Sequence, residues 1–388
     1  MPYYKQMGEI PPKRHTQFRK EDGSLHTEEL MGEEGFSYDS ALLYHLFPPT
    51  ALTAIEEVGM EDQTMSPNKP LRPRHFKTHK LKEGGDPVTG RHVLLSNSDV
   101  AISYAACDEG SGLFRNAIGD EVAYIEDGSG RLESVFGVLP FKPGDYVVVP
   151  ATTIHRWVLD EGTSFRALFI EARGGHVGPP RRYLSRNGQL LEHAPYCERD
   201  LHGPTELITI DEEEVDVLVK HRGGLTRFQF GNHPFDVVGW DGCLYPYTFS
   251  IHDFEPITGR IHQPPPVHQT FEGPNFVVCS FVPRKFDYHP DSIPAPYHHS
   301  NVDSDEMIFY HEGNFMSRKG SGIEPGSISL HPGGHTHGPQ PGSVEASIGK
   351  EGTEELAVMV DTFKPLDIGP GGWDSEEDKY AWTWLEGR

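Results

Sequence analysis

The chain has 388 residues, and its 42 glycines and 33 prolines are too many for a helical bundle but typical of short strands joined by tight turns. Its 58 acidic and 34 basic residues give a net charge of -24, which argues against a nucleic-acid or anionic-membrane partner. The sequence shows neither a secretory signal segment nor an apolar run long enough to span a membrane. Four cysteines without CxxC spacing indicate free thiols in a reducing compartment, so we expect a cytoplasmic protein.

The first half of the chain is predicted to begin irregularly and then to form strands. Residues 1–90 show little periodicity and contain one short predicted helix around Tyr38–Leu46. Residues 91–175 alternate between apolar and polar positions, and the β-branched run Val147–Val149 ends at Pro150, which is typical of a strand. We therefore expect a unit of short strands over residues 91–175.

The second half is predicted to contain a mixed segment, a second strand-rich unit and a tail. Residues 176–234 connect the two units, and the acidic run Glu212–Glu214 begins either a helix or a charged edge strand with a solvated face. Strand signals return over residues 235–365, and residues 366–388 form a polar tail. The chain thus consists of two strand-rich units with additional N-terminal and middle segments.

An internal repeat relates the two strand-rich units. The spacing G-(x5)-P-x-G-(x2)-H occurs from Gly326 to His337, and it occurs again from Gly144 to His155 with Thr152 in place of the second glycine. A glutamate also stands seven residues before a glycine in each half, at Glu306 and at Glu121. Two matched patterns in the same order indicate a duplicated β-barrel unit.

These spacings resemble the two sequence motifs of the cupin superfamily, and within it the chain resembles the homogentisate 1,2-dioxygenase family. The stretches Asn232–Ile257, Pro296–Asn301 and Ser329–Pro339 are similar to that family's signature stretches. The resemblance implies an all-β bicupin with two jelly-roll-like barrels, over residues 91–175 and 235–365. It also implies an Fe(II) enzyme that acts on a small aromatic substrate with O2 and assembles as a homo-oligomer, either a trimer or a hexamer.

The second barrel carries the residues of a metal site. The first cupin motif reads His299-Ser-Asn301, four residues, then Glu306, and the second motif supplies His337. Two imidazoles and one carboxylate are the ligands of the facial triad in non-haem Fe(II) oxygenases. By resemblance, His299, Glu306 and His337 are the iron ligands. Asp305 is the alternative carboxylate, because the family usually has three residues where this sequence has four.

The first barrel is predicted to hold no metal. It keeps Glu121 and His155, but Phe114, Arg115 and Asn116 stand where the paired histidines belong. Two potential ligands without a third rarely hold a catalytic metal, so we expect this barrel to be structural.

The resemblance also assigns an acid/base residue and a substrate pocket. His268 falls where the family places its acid/base histidine, and an ordinary histidine pKa near 6.5 would suit proton transfer from a phenol. The expected substrate-binding residues are Tyr297, Phe315, His331 and His337. Because Phe315 replaces a family tyrosine, the donor to a substrate carboxylate is left open among Tyr297, Tyr310 and Arg318.

The family opens the ring of homogentisate (2,5-dihydroxyphenylacetate) with O2 to give maleylacetoacetate, a step of tyrosine and phenylalanine catabolism. Phe315 leaves open the same chemistry on another para-dihydroxylated ring, such as gentisate or hydroquinone. An alternative of another class is a non-catalytic bicupin that binds a ligand.

Overall fold

The computed structural model describes residues 3–59 and 64–385. The strands of the first part of the chain are β1 (Lys5–Gly8), β2 (Thr27–Gly32), β3 (Ser40–His45), β4 (Leu52–Gly59), β5 (Arg74–Lys77), β6 (His92–Ser96), β7 (Val100–Cys107), β8 (Leu113–Asn116), β9 (Glu121–Asp127), β10 (Gly130–Ser134), β11 (Gly137–Phe141), β12 (Asp145–Val149), β13 (His155–Leu159) and β14 (Phe165–Ala172).

The later strands are β15 (Leu201–His202), β16 (Val215–His221), β17 (Gly224–Phe230), β18 (Val237–Gly242), β19 (Tyr247–Ser250), β20 (Gln269–Gly273), β21 (Phe276–Phe281), β22 (Arg284–Lys285), β23 (Asp305–Glu312), β24 (Ser327–His331), β25 (Gly352–Thr353), β26 (Leu356–Thr362), β27 (Asp367–Ile368) and β28 (Glu376–Glu377). The short helices are α1 (Ser343–Ser347), α2 (Pro370–Ser375) and 3-10 turns at Glu34–Phe36, Thr78–Lys80, Arg181–Tyr183, Glu198–Asp200, Ile251–Asp253, Pro265–His268, Met316–Arg318 and Tyr380–Leu385.

The N-terminal segment is more regular than its sequence suggests. It supplies β1, β2 and β3 to a four-stranded sheet of order β1-β18-β3-β2, and β4 and β5 to two larger sheets. The predicted helix around Tyr38–Leu46 is wrong, because Ser40–His45 forms β3 between β18 and β2. This strand is buried on both faces from Ala41 to His45, so its apolar run shows no alternation by which it could be recognised.

The first barrel is formed by two antiparallel-rich sheets that enclose an apolar interior. The eight-stranded sheet has the order β15-β19-β12-β9-β14-β7-β6-β27, and the seven-stranded sheet has the order β11-β10-β13-β8-β16-β17-β4. Alternation along β9 turns Ala123 and Ile125 into this interior, whereas Val122 and Tyr124 face the other side of the sheet. The same interior holds the buried Trp157.

The second barrel is built on a seven-stranded sheet of order β20-β21-β26-β23-β24-β5-β28, together with the short pair β22-β25. Along β23, Ile308 and Tyr310 lie in one apolar cluster and Met307 and Phe309 lie in another. The first cluster is the barrel interior, and the second belongs to a core that also contains residues of the first barrel. The chain therefore has the all-β cupin fold that the sequence predicts.

The two barrels are joined through that common core. The rings of Tyr104 and Phe309 lie 6.2 Å apart across it. The hydroxyl of Tyr124 and Nδ1 of His311 are hydrogen-bonded at 2.5 Å, and the hydroxyls of Tyr146 and Ser280 at 2.8 Å. The outer face of the eight-stranded sheet thus packs on the outer face of the second barrel's sheet.

The repeated motif has the same backbone conformation in both halves. Gly128 and Gly313 both have positive φ, at 87° and 98°. A Cβ atom at either position would lie 2.2 Å or 2.1 Å from a backbone carbonyl oxygen, so both positions require glycine. Thr152 has φ of 65° where Gly334 has 80°, so the first barrel keeps this turn with a β-branched residue.

The acidic run of the middle segment leads into a strand rather than a helix. Val215–His221 forms β16, which lies between β8 and β17 and is not an edge strand. The preceding Glu212–Glu214 run is exposed, as the solvated-face interpretation predicts. All four cysteines are free, and two of them are buried. No helix in the described residues is long and apolar enough to cross a bilayer.

Candidate metal centre

The three predicted ligands come together at one end of the second barrel. Glu306 is the second residue of β23, and alternation along that strand turns it inward with Ile308 and Tyr310. His299 and His337 face each other in an isolated antiparallel bridge, with backbone hydrogen bonds of 2.8 Å and 2.9 Å in the two directions. This single bridge holds the two histidines opposite each other.

The two imidazoles turn the same nitrogen towards the carboxylate. Nε2 of His299 lies 3.5 Å from Oε2 of Glu306, and Nε2 of His337 lies 3.4 Å from Oε1. Each Nδ1–H donates to the carbonyl two residues earlier, at Tyr297 and at His335, over 3.2 Å in both cases. These bonds leave the Nε2 lone pairs free to bind a metal ion.

The spacing of these atoms fits a bound divalent ion. The three ligand atoms lie within 4.8 Å of one another. Nitrogen and oxygen ligands about 2.1 Å from one ion stand roughly 3.0–3.4 Å apart, close to the distances seen here. Nε2 of His337 is buried without a hydrogen-bond partner in the described chain, which is the condition expected of a metal ligand.

Glu306 is held as a carboxylate by the histidines around it. Burial alone would raise its pKa, but the surrounding imidazoles of His299, His331 and His337 lower the pKa well below its usual value. The Glu306 carboxylate in turn raises the pKa of His299. The cluster therefore presents a charged carboxylate between two imidazoles.

His331 orients the Glu306 carboxylate through a hydrogen bond. It is fully buried, its Nδ1–H donates to Oε1 of Glu306 at 2.8 Å, and its Nε2 accepts from the Tyr380 hydroxyl at 2.9 Å. Its ring stacks on His337 at 4.3 Å and 17°. Burial lowers the pKa of His331 to about 3, so the ring stays neutral and keeps this tautomer. The sequence predicts that His331 lines the substrate pocket. In the structure, His331 contacts the proposed ligands Glu306 and His337 and Tyr380 of the C-terminal tail.

Asp305, the alternative ligand, points away from the cluster. Its carboxylate accepts the backbone N–H groups of Gly333 and Leu366, each at 2.8 Å. Neighbouring residues of a strand face opposite sides of the sheet, so Asp305 and Glu306 cannot both enter the barrel. The geometry favours Glu306.

His268 lies at the end of the 3-10 turn Pro265–His268 and is buried against the barrel. Its ring lies 4.7 Å from that of Phe281, and its Nδ1 has no hydrogen-bond partner among the described residues. Burial, and then the charge of Arg284, lower its pKa to about 3. The expected ordinary pKa is therefore wrong, and His268 is neutral at neutral pH.

The remaining predicted pocket residues differ in exposure. Tyr297 is 58% exposed, and its ring lies 6.4 Å from that of His299. Phe315 is buried in the barrel interior against the ring of Tyr310, at 4.9 Å. Arg318 is also buried, where it donates to the hydroxyl of Tyr310 at 2.9 Å and to the carbonyl of Gly338 at 2.8 Å.

Two polar groups at the site were given no role from the sequence. Asp361 on β26 lies opposite Glu306 on the neighbouring strand β23. One carboxylate oxygen of Asp361 is buried without a hydrogen-bond partner in the described chain. Burial, followed by the charge of Glu306, raises the pKa of Asp361 to about 8. Nδ2 of Asn301 is likewise buried without a partner among the described residues. Only the alternation of β26, read in register with β23, could have indicated Asp361.

The first barrel has an ion pair at the corresponding place. Phe114 forms the bridge with His155 that His299 forms with His337. Glu121 accepts two hydrogen bonds from the guanidinium of Arg91, at 2.7 Å and 3.2 Å. Among the described residues, the three-residue groups that could hold a metal ion do not include Glu121 and His155.

Two β-barrels that carry the same repeated motif define the chain as a cupin protein. A profile described as "Homogentisate 1,2-dioxygenase N-terminal" matches residues 55–251. The chain belongs to the homogentisate 1,2-dioxygenase family, as the sequence resemblance predicts.

Curated relatives agree with this assignment at different distances. A Saccharolobus solfataricus protein named "Putative dioxygenase" is 43% identical over 99% of both chains. Homogentisate 1,2-dioxygenase of Nitrobacter hamburgensis is 28% identical over 71% of this chain, which covers 63% of that enzyme. The Emericella nidulans homogentisate 1,2-dioxygenase is 25% identical over 93% of this chain and 82% of its own length. The chain is thus a dioxygenase by family.

Proposed function

We propose that the protein is an Fe(II)-dependent ring-cleaving dioxygenase whose substrate is homogentisate and whose product is maleylacetoacetate, in tyrosine and phenylalanine catabolism. The observation that carries the proposal is the pair of imidazole Nε2 atoms within 3.5 Å of the Glu306 carboxylate. The names of the curated relatives support the reaction and the substrate.

His299, Glu306 and His337 would hold the metal. When bound by two histidines and one carboxylate, Fe(II) keeps open positions for a substrate and O2 and supplies the redox chemistry. His331 and Tyr380 hold the Glu306 carboxylate in place through a continuous hydrogen-bonded chain. Such outer contacts fix the orientation of a ligand and raise its affinity for the metal.

His268 is proposed to accept a phenolic proton from the substrate. It is neutral at neutral pH, and an unpartnered Nδ1 gives it a nitrogen available for a new hydrogen bond. Its low pKa makes it a weak base, so it would act on a phenol already made acidic by the metal.

A buried arginine in the second barrel supports an anionic substrate. The Arg318 guanidinium is buried there and contacts the carbonyl of Gly338, the residue after the proposed ligand His337. A buried cation favours a ring that carries a carboxylate, as homogentisate and gentisate do and hydroquinone does not. Phe315 lacks the hydroxyl of the family tyrosine, so gentisate remains the second candidate substrate.

The test is O2 uptake by anaerobically purified protein supplied with Fe(II), with homogentisate, gentisate and hydroquinone as separate substrates. We expect the highest kcat/KM for homogentisate and the lowest for hydroquinone. Fast turnover of hydroquinone without turnover of homogentisate would refute the proposed substrate while leaving the chemistry. A protein that binds iron but consumes no O2 with any of the three would support the non-catalytic bicupin.

Phe315→Tyr tests the carboxylate contact. If the substrate carboxylate lies near residue 315, the new hydroxyl adds a hydrogen bond to a charged group, worth about 1.5–3 kcal/mol. The expected gain is roughly ten- to a hundredfold in affinity for homogentisate, with none for hydroquinone. Binding measured anaerobically separates this effect from turnover. Equal gains for both compounds would show that the hydroxyl does not contact the carboxylate.

The assembly and location are proposed from the same family. We expect a homo-oligomer, a trimer or a hexamer, in the cytoplasm. Light scattering of the purified protein determines the mass of the assembly.

A further inference from the structure

A second group of potential metal ligands lies outside both barrel sites. Glu33 follows β2, Asp120 precedes β9 and His176 follows β14, so three separate parts of the chain meet at one point. One ligand atom from each of these residues lies within 4.8 Å of the other two. None of the three belongs to the repeated motif.

The distances in this group fit an ion better than a hydrogen-bonded triad. Nδ1 of His176 lies 3.2 Å from Oε1 of Glu33 and 3.6 Å from Oδ1 of Asp120. The nitrogen is buried, yet it is aligned with no hydrogen-bond acceptor among the described residues. Ligand atoms about 2.1 Å from a tetrahedral ion stand about 3.4 Å apart, midway between these two distances.

A buried hydroxyl beside this group also lacks a partner. Tyr247 is 2% exposed, and its hydroxyl has no hydrogen bond within the described chain. Burial raises the pKa of Tyr247, and the carboxylates that raise it most are those of Asp120 and then Glu33. The two carboxylates are thus the charges that act most on this unpartnered hydroxyl, which a ligand or its bound water would satisfy.

Solvent reaches the group through a cleft. Glu33 has a side chain only 10% exposed, at the wall of a cleft of about 1050 Å³ that His176 also lines. An ion can thus reach the site from solvent, and its charge would stabilise both carboxylates.

Asp120 is already fixed in the orientation that a ligand needs. One carboxylate oxygen accepts the N–H of Ala151 at 2.8 Å, and the other accepts the N–H of Val177 at 2.8 Å. Each oxygen keeps a second lone pair, so these bonds position the group without blocking it. Val177 follows His176 directly, which ties the two ligands to one another through the backbone.

We propose that Glu33, Asp120 and His176 bind a divalent transition-metal ion, such as Zn²⁺, that links the N-terminal segment, the first barrel and the connecting segment. Two carboxylates and one imidazole leave a fourth position open to the cleft, as in zinc sites with three protein ligands. The ion is separate from the iron site and independent of the proposed reaction.

Zinc binding by four versions of the full chain tests the proposal. Each protein is stripped with a chelator and dialysed against Zn²⁺, and its bound metal is measured by mass spectrometry. We expect about two ions in the native chain, because Zn²⁺ also fits the iron site, and about one in Glu306→Gln. The double variant Glu33→Gln with His176→Gln should bind about one ion. The triple variant, which adds Glu306→Gln, should bind none.

Glu34→Gln is the matched control, because Glu34 is the exposed neighbour of Glu33. It should bind as the native chain does. As a second readout, Zn²⁺ should raise the melting temperature of Glu306→Gln and leave that of Glu306→Gln with Glu33→Gln unchanged. Near-ultraviolet circular dichroism shows whether the variants fold. A Glu306→Gln protein that binds no Zn²⁺, or binds it equally with and without Glu33 and His176, would overturn the proposal.

Discussion

Both barrels contain a buried glutamate at the same position of the repeated motif, but the partners of its carboxylate differ. In both, a histidine donates Nδ1–H to the carbonyl two residues earlier, at Thr153 for His155 and at His335 for His337. In the second barrel, His299 stands opposite, and the carboxylate of Glu306 is left facing two free imidazole nitrogens.

In the first barrel, the positive charge beside the buried glutamate is a protein side chain. Arg91 forms a two-point ion pair with Glu121, and its guanidinium lies 3.8 Å from the centre of the Phe169 ring. Burial alone would raise the pKa of Glu121, but Arg91, with Lys220 and His155, lowers it to about 2. A buried carboxylate needs a positive partner in either barrel, and a repeated motif therefore does not imply a repeated metal site.

The strongest test of this difference removes the proposed ligands. His299→Ala, Glu306→Ala or His337→Ala should each abolish iron binding and O2 uptake, because each removes one of three protein ligands. Iron content and activity are measured on folded protein. Asp305→Asn is the matched control and should keep its iron, whereas loss of iron in Asp305→Asn but not in Glu306→Ala would reverse the assignment.

Removing the cation of the first barrel should cost stability and leave iron unchanged. Arg91→Met leaves Glu121 buried without its ion pair, which should lower the free energy of unfolding by about 3–5 kcal/mol. Urea unfolding followed by tryptophan fluorescence measures the loss. Adding Glu121→Gln should recover most of it, since the unpaired charge is then gone. Arg131→Met removes a half-exposed arginine from Glu133, which keeps its pair with Arg156, so this change should cost at most about 1 kcal/mol.

The same pair predicts a dependence on pH. The folded pKa of Glu121, about 2, lies below its ordinary value of 4.5, so the pair stabilises the fold above pH 4.5 and loses this contribution as pH falls towards 2. A shift of this size corresponds to about 3 kcal/mol. The double variant Arg91→Met with Glu121→Gln should show a correspondingly flatter unfolding free energy between pH 4.5 and 2. An unchanged slope would mean that Glu121 does not contribute to acid unfolding.

The smallest expected effect is on metal content when the first barrel's histidine is removed. His155→Ala should leave iron unchanged, because Phe114 replaces the second histidine of that motif. Iron analysis beside the native protein decides this point. A loss of about one iron per chain would show that the first barrel binds metal after all.

The sequence predicts the repeated motif and, by resemblance, the convergence of His299, Glu306 and His337, because these residues stand at fixed spacings within the two cupin motifs. It does not predict Arg91, which lies 30 residues before Glu121 and outside the motif. Asp361 and Tyr380 reach the site through pairing and tail packing that no local pattern encodes.

Errors in the predicted elements have a similar cause. The segment Ser40–His45 becomes a strand because it is covered on both faces, which depends on partners almost 200 residues away. The low pKa of His268 is likewise set by burial rather than by its neighbours in the chain. Sequence patterns report local periodicity, and these features depend on tertiary contacts.

The core between the barrels decides what a shortened version of this protein could be. A fragment with only the second barrel would keep His299, Glu306 and His337, yet it would uncover Phe309, Val358 and the rest of the apolar surface that the first barrel now hides. Such a surface would drive aggregation before any catalysis could be measured. The first barrel therefore protects the second barrel from aggregation by covering this apolar surface.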